Sequence, residues 1–197
     1  KMEWWRLAAF GLLATIAVLA KLPAIYALCI LALPILSAKN TWLPKISISL
    51  ISFAVVSLDY WWYFVWGSYL FKTYGYQLYF PQSFKNGIVE LIPYWKRALE
   101  QFYFSAFHSY AAMTVFFFGF FYCLKNKLKI PLYIFGVSLS VFIAFIIKTG
   151  NVFALHSYYI IPFVPVMAVI AGIGLTQIPA KIYPWLLAFI ALEAIAN

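Results

Sequence analysis

Residues 152–175 read VFALHSYYIIPFVPVMAVIAGIGL, and this stretch governs how the rest of the chain is interpreted. It begins with an imidazole and two phenols and continues as an apolar segment. From residue 158 onward it reaches the length of about 17–25 residues that a helix needs to cross a bilayer. Polar and aromatic side chains therefore precede a predicted membrane-spanning helix directly. This order predicts that the protein does its chemistry at a membrane surface.

The composition agrees with a membrane location. Of the 197 residues, 66% are hydrophobic, 22% are aromatic and only 10% are charged. The mean hydropathy is +0.92. A soluble domain is usually about 45–50% apolar. The chain is therefore predicted to be an integral membrane protein.

The charge and the cysteines exclude other classes. The net charge is +9, but the basic residues are scattered between apolar segments and form no continuous stripe, so nucleic-acid binding is not expected. Loop topology and anionic membrane lipid explain the charge better. Cys29 and Cys123 lie inside apolar runs and are predicted to be free core residues rather than a disulfide or metal ligands.

Six apolar segments have the approximate length of a spanning helix. They are residues 4–20, 22–38, 46–66, 103–124, 130–147 and 158–175, with 182–196 as a further candidate. Backbone polar groups must be satisfied within each segment in hydrocarbon, which favours helices. The sequence therefore predicts an all-α, polytopic transmembrane helix bundle of about 6–7 spans, forming one transmembrane domain over residues 1–197.

The basic residues also predict an orientation. Eight lie in the short connections of one side, against two on the other, and short loops rich in Lys and Arg are usually cytoplasmic. The eight are Lys1, Arg6, Lys39, Lys45, Lys125, Lys127, Lys129 and Lys181, and the two are Lys21 and Lys148. Lys21, the long loop of about residues 67–102 and residues 148–159 are therefore expected on the outer face.

The long outer loop carries a helical pattern of its own. From Ile88 onward, apolar residues recur at helical spacing as far as Ala106, and Gln101 falls on the polar side of the pattern. This predicts an amphipathic helix lying in the membrane interface. Pro93 is expected to interrupt its first turn or to mark its true start. Residues 73–87 are predicted to be an ordered loop.

Two single residues are candidates for a site. Lys21 lies in the tight link between two apolar segments, where an ammonium group can meet a lipid phosphate or can simply snorkel at a helix end. Asp59 is an acid within an apolar run. It is either a partly exposed residue near the outer end of its helix or a site carboxylate that acts as a base or a metal ligand.

A third candidate is the group of Lys148, His156, Tyr158 and Tyr159. A cation, an imidazole and two phenols within a dozen residues can form a surface for anions and sugar hydroxyls, although the tyrosines can equally form an interfacial belt. Two prolines follow, at 162 and 165. They are expected to bend the next helix and free carbonyl groups, which is tolerated where a helix lines a cavity.

Two short motifs resemble a known family. The first motif runs from Gly11-Leu12-Leu13-Ala14 to Ala20-Lys21-Leu22-Pro23. The second is His156-Ser157-Tyr158-Tyr159, followed by Pro162 and Pro165. They resemble motifs of the polyprenyl-phosphate-dependent membrane glycosyltransferases of the glycosyltransferase C superfamily. The similar branch is that of protein O-mannosyltransferases and the lipid A aminoarabinose transferase. Ala20 and Leu22 stand where that family usually carries threonine and glycine.

The resemblance implies transfer of a sugar from a polyprenyl-phosphate donor to a glycan, lipid or protein acceptor at the outer face of a bacterial inner membrane. It places Lys21 near the lipid phosphate, His156, Tyr158 and Tyr159 in the donor pocket, and the outer loop over the cavity as a lid. The family's catalytic carboxylate is expected before Lys1, so this chain is expected to be an inactive C-terminal fragment of the membrane domain.

The residues alone leave the metal requirement and the function open. The sequence contains no recognisable metal motif, and it leaves open whether the full-length enzyme uses a divalent metal. Two other functions remain: a transporter or flippase for a lipid or small molecule, and a non-catalytic membrane scaffold subunit. An inverted repeat with broken helices would favour the transporter.

Overall fold

The computed structural model describes residues 4–20, 22–36, 41–76 and 83–196, and all regular secondary structure among them is helical. The all-α fold class is therefore confirmed. The chain forms two compact units, Lys1–Pro81 and Gln82–Asn197.

The first unit contains one short bundle of helices. Its elements are α1 (Trp4–Ala20), a 3-10 segment (Leu22–Leu31), α2 (Ala32–Leu36), α3 (Trp42–Tyr60), a π-helical segment (Trp61–Trp66) and α4 (Gly67–Tyr74). The last three join into one continuous helix of 33 residues. It ends at Gly75, which has a φ of 72° and so supplies the left-handed conformation that commonly ends a helix. The phenol of Tyr63 donates to the carbonyl oxygen of Val18 at 3.0 Å and ties this helix to α1.

The second unit is built from longer helices and their connecting turns. Its elements are α5 (Phe84–Leu91), a 3-10 turn (Ile92–Tyr94), α6 (Trp95–Glu100), a π-helical segment (Gln101–Ser105), α7 (Tyr110–Lys125), α8 (Lys129–Thr149), α9 (Asn151–Leu155), a 3-10 turn (Ser157–Ile160), α10 (Val164–Leu175) and α11 (Tyr183–Ala196). An aromatic core connects them. Phe163 stacks on Phe142 with ring centroids 4.9 Å apart, and Phe102 meets both from the π-helical segment.

Two helices are long and apolar enough to cross a membrane, Trp42–Tyr74 and Lys129–Thr149. A third span results if the bent pair Phe84–Ser105 and Tyr110–Lys125 is counted as one. The predicted count of 6–7 spans is not confirmed. The other apolar helices of the described residues are shorter, because breaks interrupt the long apolar runs.

The clearest break falls in the predicted span 158–175. Only Val164–Leu175 is α-helical, and Pro165 lies in its first turn. Proline at that position loses no helical hydrogen bond, since the first amide groups have no partner within a helix. The two prolines thus precede and start the helix rather than bend it, and this part of the prediction was wrong.

A second break falls in the predicted span 103–124. His108 has a φ of 50°, and the chain turns by 91° there before α7 begins. Ser109 starts α7 as its N-cap, accepting from the amide of Ala112 at 3.0 Å. His108 therefore marks a bend rather than the interior of a straight helix.

A helix lies where the interfacial helix was predicted, but it begins earlier. It starts at Phe84, where Ser83 caps it by accepting from the amide of Asn86 at 3.1 Å. Pro93 lies inside a later 3-10 turn and marks neither the first turn nor the start of the helix. The predicted loop at residues 73–87 is correspondingly shorter, because Tyr74 is still helical and Phe84 is already helical. Residues 77–82 lie outside the described part of the chain.

Large apolar side chains cover the outside of the described helices. Phe53, in the middle of α3, is 72% exposed, whereas the nearby carboxylate residue Asp59 is 1% exposed. Exposed apolar surface of this extent is typical of proteins that meet lipid or a partner. The exposed surface and the long apolar helices fit an integral membrane protein.

A carboxylate from α11 caps the start of α7. Glu193 accepts from the hydroxyl of Ser109 at 2.7 Å and from the amides of Tyr110 and Ala111, both at 3.0 Å. An anion is favourable at a helix N-terminus because the unpaired amides there carry partial positive charge. This contact holds α11 against α7.

Removing this cap should weaken the attachment of α11. We expect Glu193→Ala to lower the melting temperature in detergent and to speed amide hydrogen exchange at Tyr110 and Ala111, since both amides lose their acceptor. Glu100→Ala is the matched control, because Glu100 is an exposed carboxylate on another helix. Equal effects of the two substitutions would show that the cap does not stabilise the unit.

Candidate functional site

The predicted site group follows the end of α8. Gly150 has a φ of 60° and ends that helix, and the short α9 leads to His156, which is extended. The chain then forms the 3-10 turn Ser157–Ile160. This sharp change from helix to extended chain to turn places three ring side chains close together.

His156, Tyr158 and Tyr159 form one cluster of rings. The imidazole stacks on Tyr158 with centroids 5.4 Å apart and lies 6.1 Å from Tyr159, and the two phenols are 4.6 Å apart. Tyr159 also contacts Phe145 of α8 at 5.7 Å. His156 and Tyr158 are exposed, whereas Tyr159 is half-buried. The cluster therefore presents an imidazole and a phenol outward on a fixed aromatic base.

The half-buried phenol of Tyr159 keeps its proton. Tyr159 lies in the turn Ser157–Ile160, outside the helices that are long enough to span a membrane. Burial, together with a hydrogen bond to Tyr158, raises the pKa of Tyr159 to about 12. At neutral pH its hydroxyl group is therefore a neutral hydrogen-bond donor and acceptor and not a base.

Lys148 lies near the end of α8, which the cluster follows in the chain. It comes one helical turn after Phe145, the residue that contacts Tyr159, and residues three apart share a helix face. Its ammonium nitrogen lies 5.2 Å from the centre of the Phe84 ring at the start of α5. The structure thus brings His156, Tyr158 and Tyr159 together and places Lys148 at the junction of α8 and α5.

Two residues of this junction were missed by the sequence analysis. Gly87 of α5 packs directly on the backbone carbonyl of Ile147, so closely that no side chain fits there. Phe84 supplies the ring under Lys148. The glycine at position 87, within an amphipathic stretch, was the available signal in the sequence. Its partner, Ile147, is 60 residues away and could not be identified from the sequence.

Gln101 is a third residue that the sequence placed wrongly. It was predicted on the polar side of the interfacial helix, but it is 7% exposed and donates from Nε2 to the carbonyl of Ala154 at 3.2 Å. The predicted apolar stripe is itself exposed, with Ile88, Ile92 and Leu99 at 45%, 62% and 54%, so the opposite side of the helix, which carries Gln101, packs inward. Gln101 therefore ties the π-helical segment Gln101–Ser105 to α9, two residues before His156.

The remaining predicted site residues lie elsewhere. Lys21 lies outside the described residues. Asp59 belongs to the first compact unit, whereas the ring cluster belongs to the second. Among the residues that the structure describes, no three His, Cys, Asp or Glu side chains come together in a way that could hold a metal ion. Neither Cys29 nor Cys123 forms a disulfide within the described residues, and Cys123 is buried whereas Cys29 is half-buried.

An apolar groove between α7 and α11 is a separate feature. It has a volume of about 480 Å³ and is lined by Ala111, Thr114, Val115, Phe118, Ile178 and Leu186. Its one hydroxyl group, that of Thr114, donates to the carbonyl of Tyr110 at 2.9 Å and so serves its own helix. The ring cluster, and not this groove, is therefore the place where polar ligand groups can be recognised.

Comparison with known proteins adds no assignment to this geometry. No protein-family model, no curated protein and no solved structure matches the chain.

Proposed function

We propose that this protein is a membrane glycosyltransferase component that holds a sugar carried on a polyprenyl phosphate. The observation that carries the proposal is the cluster of His156, Tyr158 and Tyr159, which contacts Phe145, three residues before Lys148 on α8. The motif resemblance of the same residues supports it. In this proposal the sugar passes to a glycan, lipid or protein acceptor at the outer face of a bacterial inner membrane.

Each residue has a role that its chemistry allows. Lys148 and His156 can donate to phosphate oxygens, and charged donors make shorter and stronger hydrogen bonds to phosphate than neutral ones. The phenols of Tyr158 and Tyr159 can bond to sugar hydroxyls and offer ring faces to the sugar. Holding the leaving phosphate with cations favours transfer, because negative charge grows on that group in the transition state.

The membrane arrangement belongs to the same proposal. Besides the candidate spans, the described part of the chain contains four shorter apolar helices, at Trp4–Ala20, Ala24–Ile35, Val164–Leu175 and Tyr183–Ala196. We assign these to the membrane as well, as parts of a bundle of 6–7 crossings and partial crossings. Their lengths suit helices that are broken or that enter only part of the bilayer.

Lipid binding provides the first test. The chain is placed in nanodiscs, and retention of undecaprenyl phosphate is measured against undecaprenol, which lacks the phosphate. We expect Lys148→Met combined with His156→Ala to weaken phosphate-dependent retention by about 10–100-fold, since a charged hydrogen bond contributes about 1.5–3 kcal/mol. Retention of undecaprenol should not change.

Lys129→Met is the matched control, because Lys129 is at the opposite end of the same helix. It removes the same charge but leaves the cluster intact. If both lysine variants weaken retention equally, the binding is unspecific attraction to positive charge and the proposal is wrong. Transfer itself is tested with radiolabelled sugar on polyprenyl phosphate in membranes that contain the protein, and transfer that survives His156→Ala would remove that residue from the site.

A further inference from the structure

A buried acid lies in the middle of the longest helix among the described residues. The helix Trp42–Tyr74 extends well beyond the predicted span 46–66, so Asp59 is not near its end. Lys45 precedes Asp59 by 14 residues, and Lys72 follows it by 13. At a rise of about 1.5 Å per residue, these lysines are about 40 Å apart, close to the thickness of a bilayer with its headgroups. Asp59 is about 20 Å from each of them.

The surroundings of this carboxylate are apolar. Asp59 is 1% exposed, and neither of its oxygens has a hydrogen-bond partner within the described ranges. Val55, one turn earlier, is also buried. The next turn along the same side carries Tyr63, whose hydroxyl is already bonded to the carbonyls of Val18 and Leu19 at 3.0 and 3.3 Å. The nearest phenol on that side is therefore committed to α1.

The same side of the helix packs on α1. A methyl group placed on Gly11 would lie 2.9 Å from Cγ2 of Ile51, two turns before Asp59, while Tyr63 meets α1 near its end. Asp59 thus lies between two points of contact with α1. A π-helical segment begins two residues later, at Trp61, and such segments are frequent at functional sites.

Few other titratable groups occur on the elements that pack on this helix. On the described parts of α1, the 3-10 segment, α2 and the 33-residue helix itself they are Arg6, Tyr26, Cys29, Lys45, Tyr60, Tyr63, Tyr69, Lys72 and Tyr74. The charged ones, Arg6, Lys45 and Lys72, lie near the ends of their helices. An ionised carboxylate without a partner is very unfavourable in such a place, whereas a protonated one is tolerated.

From this geometry we infer that Asp59 is a proton-binding site in the middle of the membrane. Its carboxyl group carries a proton in the described conformation and releases it only when water reaches the site. An ionisable residue at mid-membrane is typical of proton relays and ion pathways. The site would give the protein a proton-linked step, and it does not depend on the proposed glycosyl transfer.

Dicyclohexylcarbodiimide, an apolar reagent, tests the inference on the intact chain in nanodiscs. The carboxyl proton moves to a carbodiimide nitrogen, and the carboxylate oxygen adds to the central carbon. The acyl group then shifts to nitrogen, and nothing is lost. The modified peptide therefore gains the mass of one whole reagent molecule. We expect this gain on the peptide that contains Asp59 at pH 7, with labelling that falls as the pH rises.

Peptide mass spectrometry localises the label in the unmodified sequence, so the result does not depend on a variant that folds poorly. Glu100 is an internal control, because it is exposed and should react only with a water-soluble carbodiimide. Asp59→Asn should abolish the label. The inference is overturned if Asp59 becomes reactive only after Lys21→Met, since that would show an ion pair. Protection by sodium at constant pH would overturn it in favour of a metal cation.

Discussion

Gly119→Ala is expected to lower the free energy of unfolding by about 2–3 kcal/mol, within the usual range for overpacking a tight contact. Gly119 on α7 faces α10 at a point where the two backbones touch. A methyl group there would overlap the carbonyl oxygen of Ile170 and would lie 2.8 Å from the amide nitrogen of Gly174. Backbone atoms cannot rotate away as a side chain can, so the helices must separate.

The contact is reciprocal. A methyl group on Gly174 would lie 2.5 Å from the carbonyl oxygen of Val115 and 3.0 Å from Cα of Gly119. Small residues let helix backbones approach in membranes, where packing replaces the hydrophobic effect as the force for association. Gly174→Ala should therefore have a similar effect, and the double substitution should cost less than the sum, because one separation of the helices relieves both overlaps.

Gly172→Ala separates this contact from helix propensity. Gly172 belongs to the same helix as Gly174, but nothing lies within 4 Å of the position of its added methyl group. Alanine favours helices over glycine by up to about 1 kcal/mol, so this variant should be as stable as the original or slightly more stable. Unfolding is followed by circular dichroism during titration with SDS in mixed micelles. Equal losses at positions 119 and 172 would contradict close packing as the cause.

Uninterrupted apolar runs were the part of the fold that the sequence predicted well. The first predicted segment, residues 4–20, is observed as the helix Trp4–Ala20, and residues 130–147 are contained in Lys129–Thr149. In both cases no proline lies in the middle of the apolar run, and a basic residue or a short connection marks the end of the helix. Local composition then decides helix length, and distant contacts change little.

The breaks were harder to predict because they depend on rotation and capping. Ser109 and Glu193 together start α7, and the carboxylate is 84 residues away from the serine. The π-helical segment at Trp61–Trp66 gave no warning in an apolar run, yet the helix continues through it to Tyr74. Because the helix continues beyond its predicted end, Asp59 lies in the middle of the helix rather than near its end.

The candidate site was predictable where it is local in sequence. His156, Tyr158 and Tyr159 are within four residues, and their rings are in contact in the structure. The neighbours of Lys148 come from α5, more than 60 residues earlier, and no sequence pattern joins them. Side chains that are close in sequence can be grouped from the sequence alone. A contact between two helices that cross at a glycine can be identified only from the tertiary structure.

Gly87→Ala is expected to detach α5 from α8 and to lower stability by about 1–3 kcal/mol. The added methyl group would overlap the carbonyl of Ile147, the residue before Lys148. The start of α5 would then move away, and Phe84 would no longer lie under the Lys148 ammonium. Hydrogen–deuterium exchange should increase over Phe84–Leu91 and remain slow in the middle of α8. Gly136→Ala, at an open position of α8, is the control and should change neither segment.

The same substitution tests whether α5 is part of the proposed binding site. Lys148→Met removes the charge while α5 stays docked through Gly87, whereas Gly87→Ala keeps the charge but removes its support. A cation held in one position binds an anion better than a freely moving one, because less freedom is lost on binding. Gly87→Ala should therefore also weaken retention of undecaprenyl phosphate. If exchange over α5 increases and retention is unchanged, Lys148 binds phosphate without α5, and the site consists of the end of α8 and the ring cluster alone.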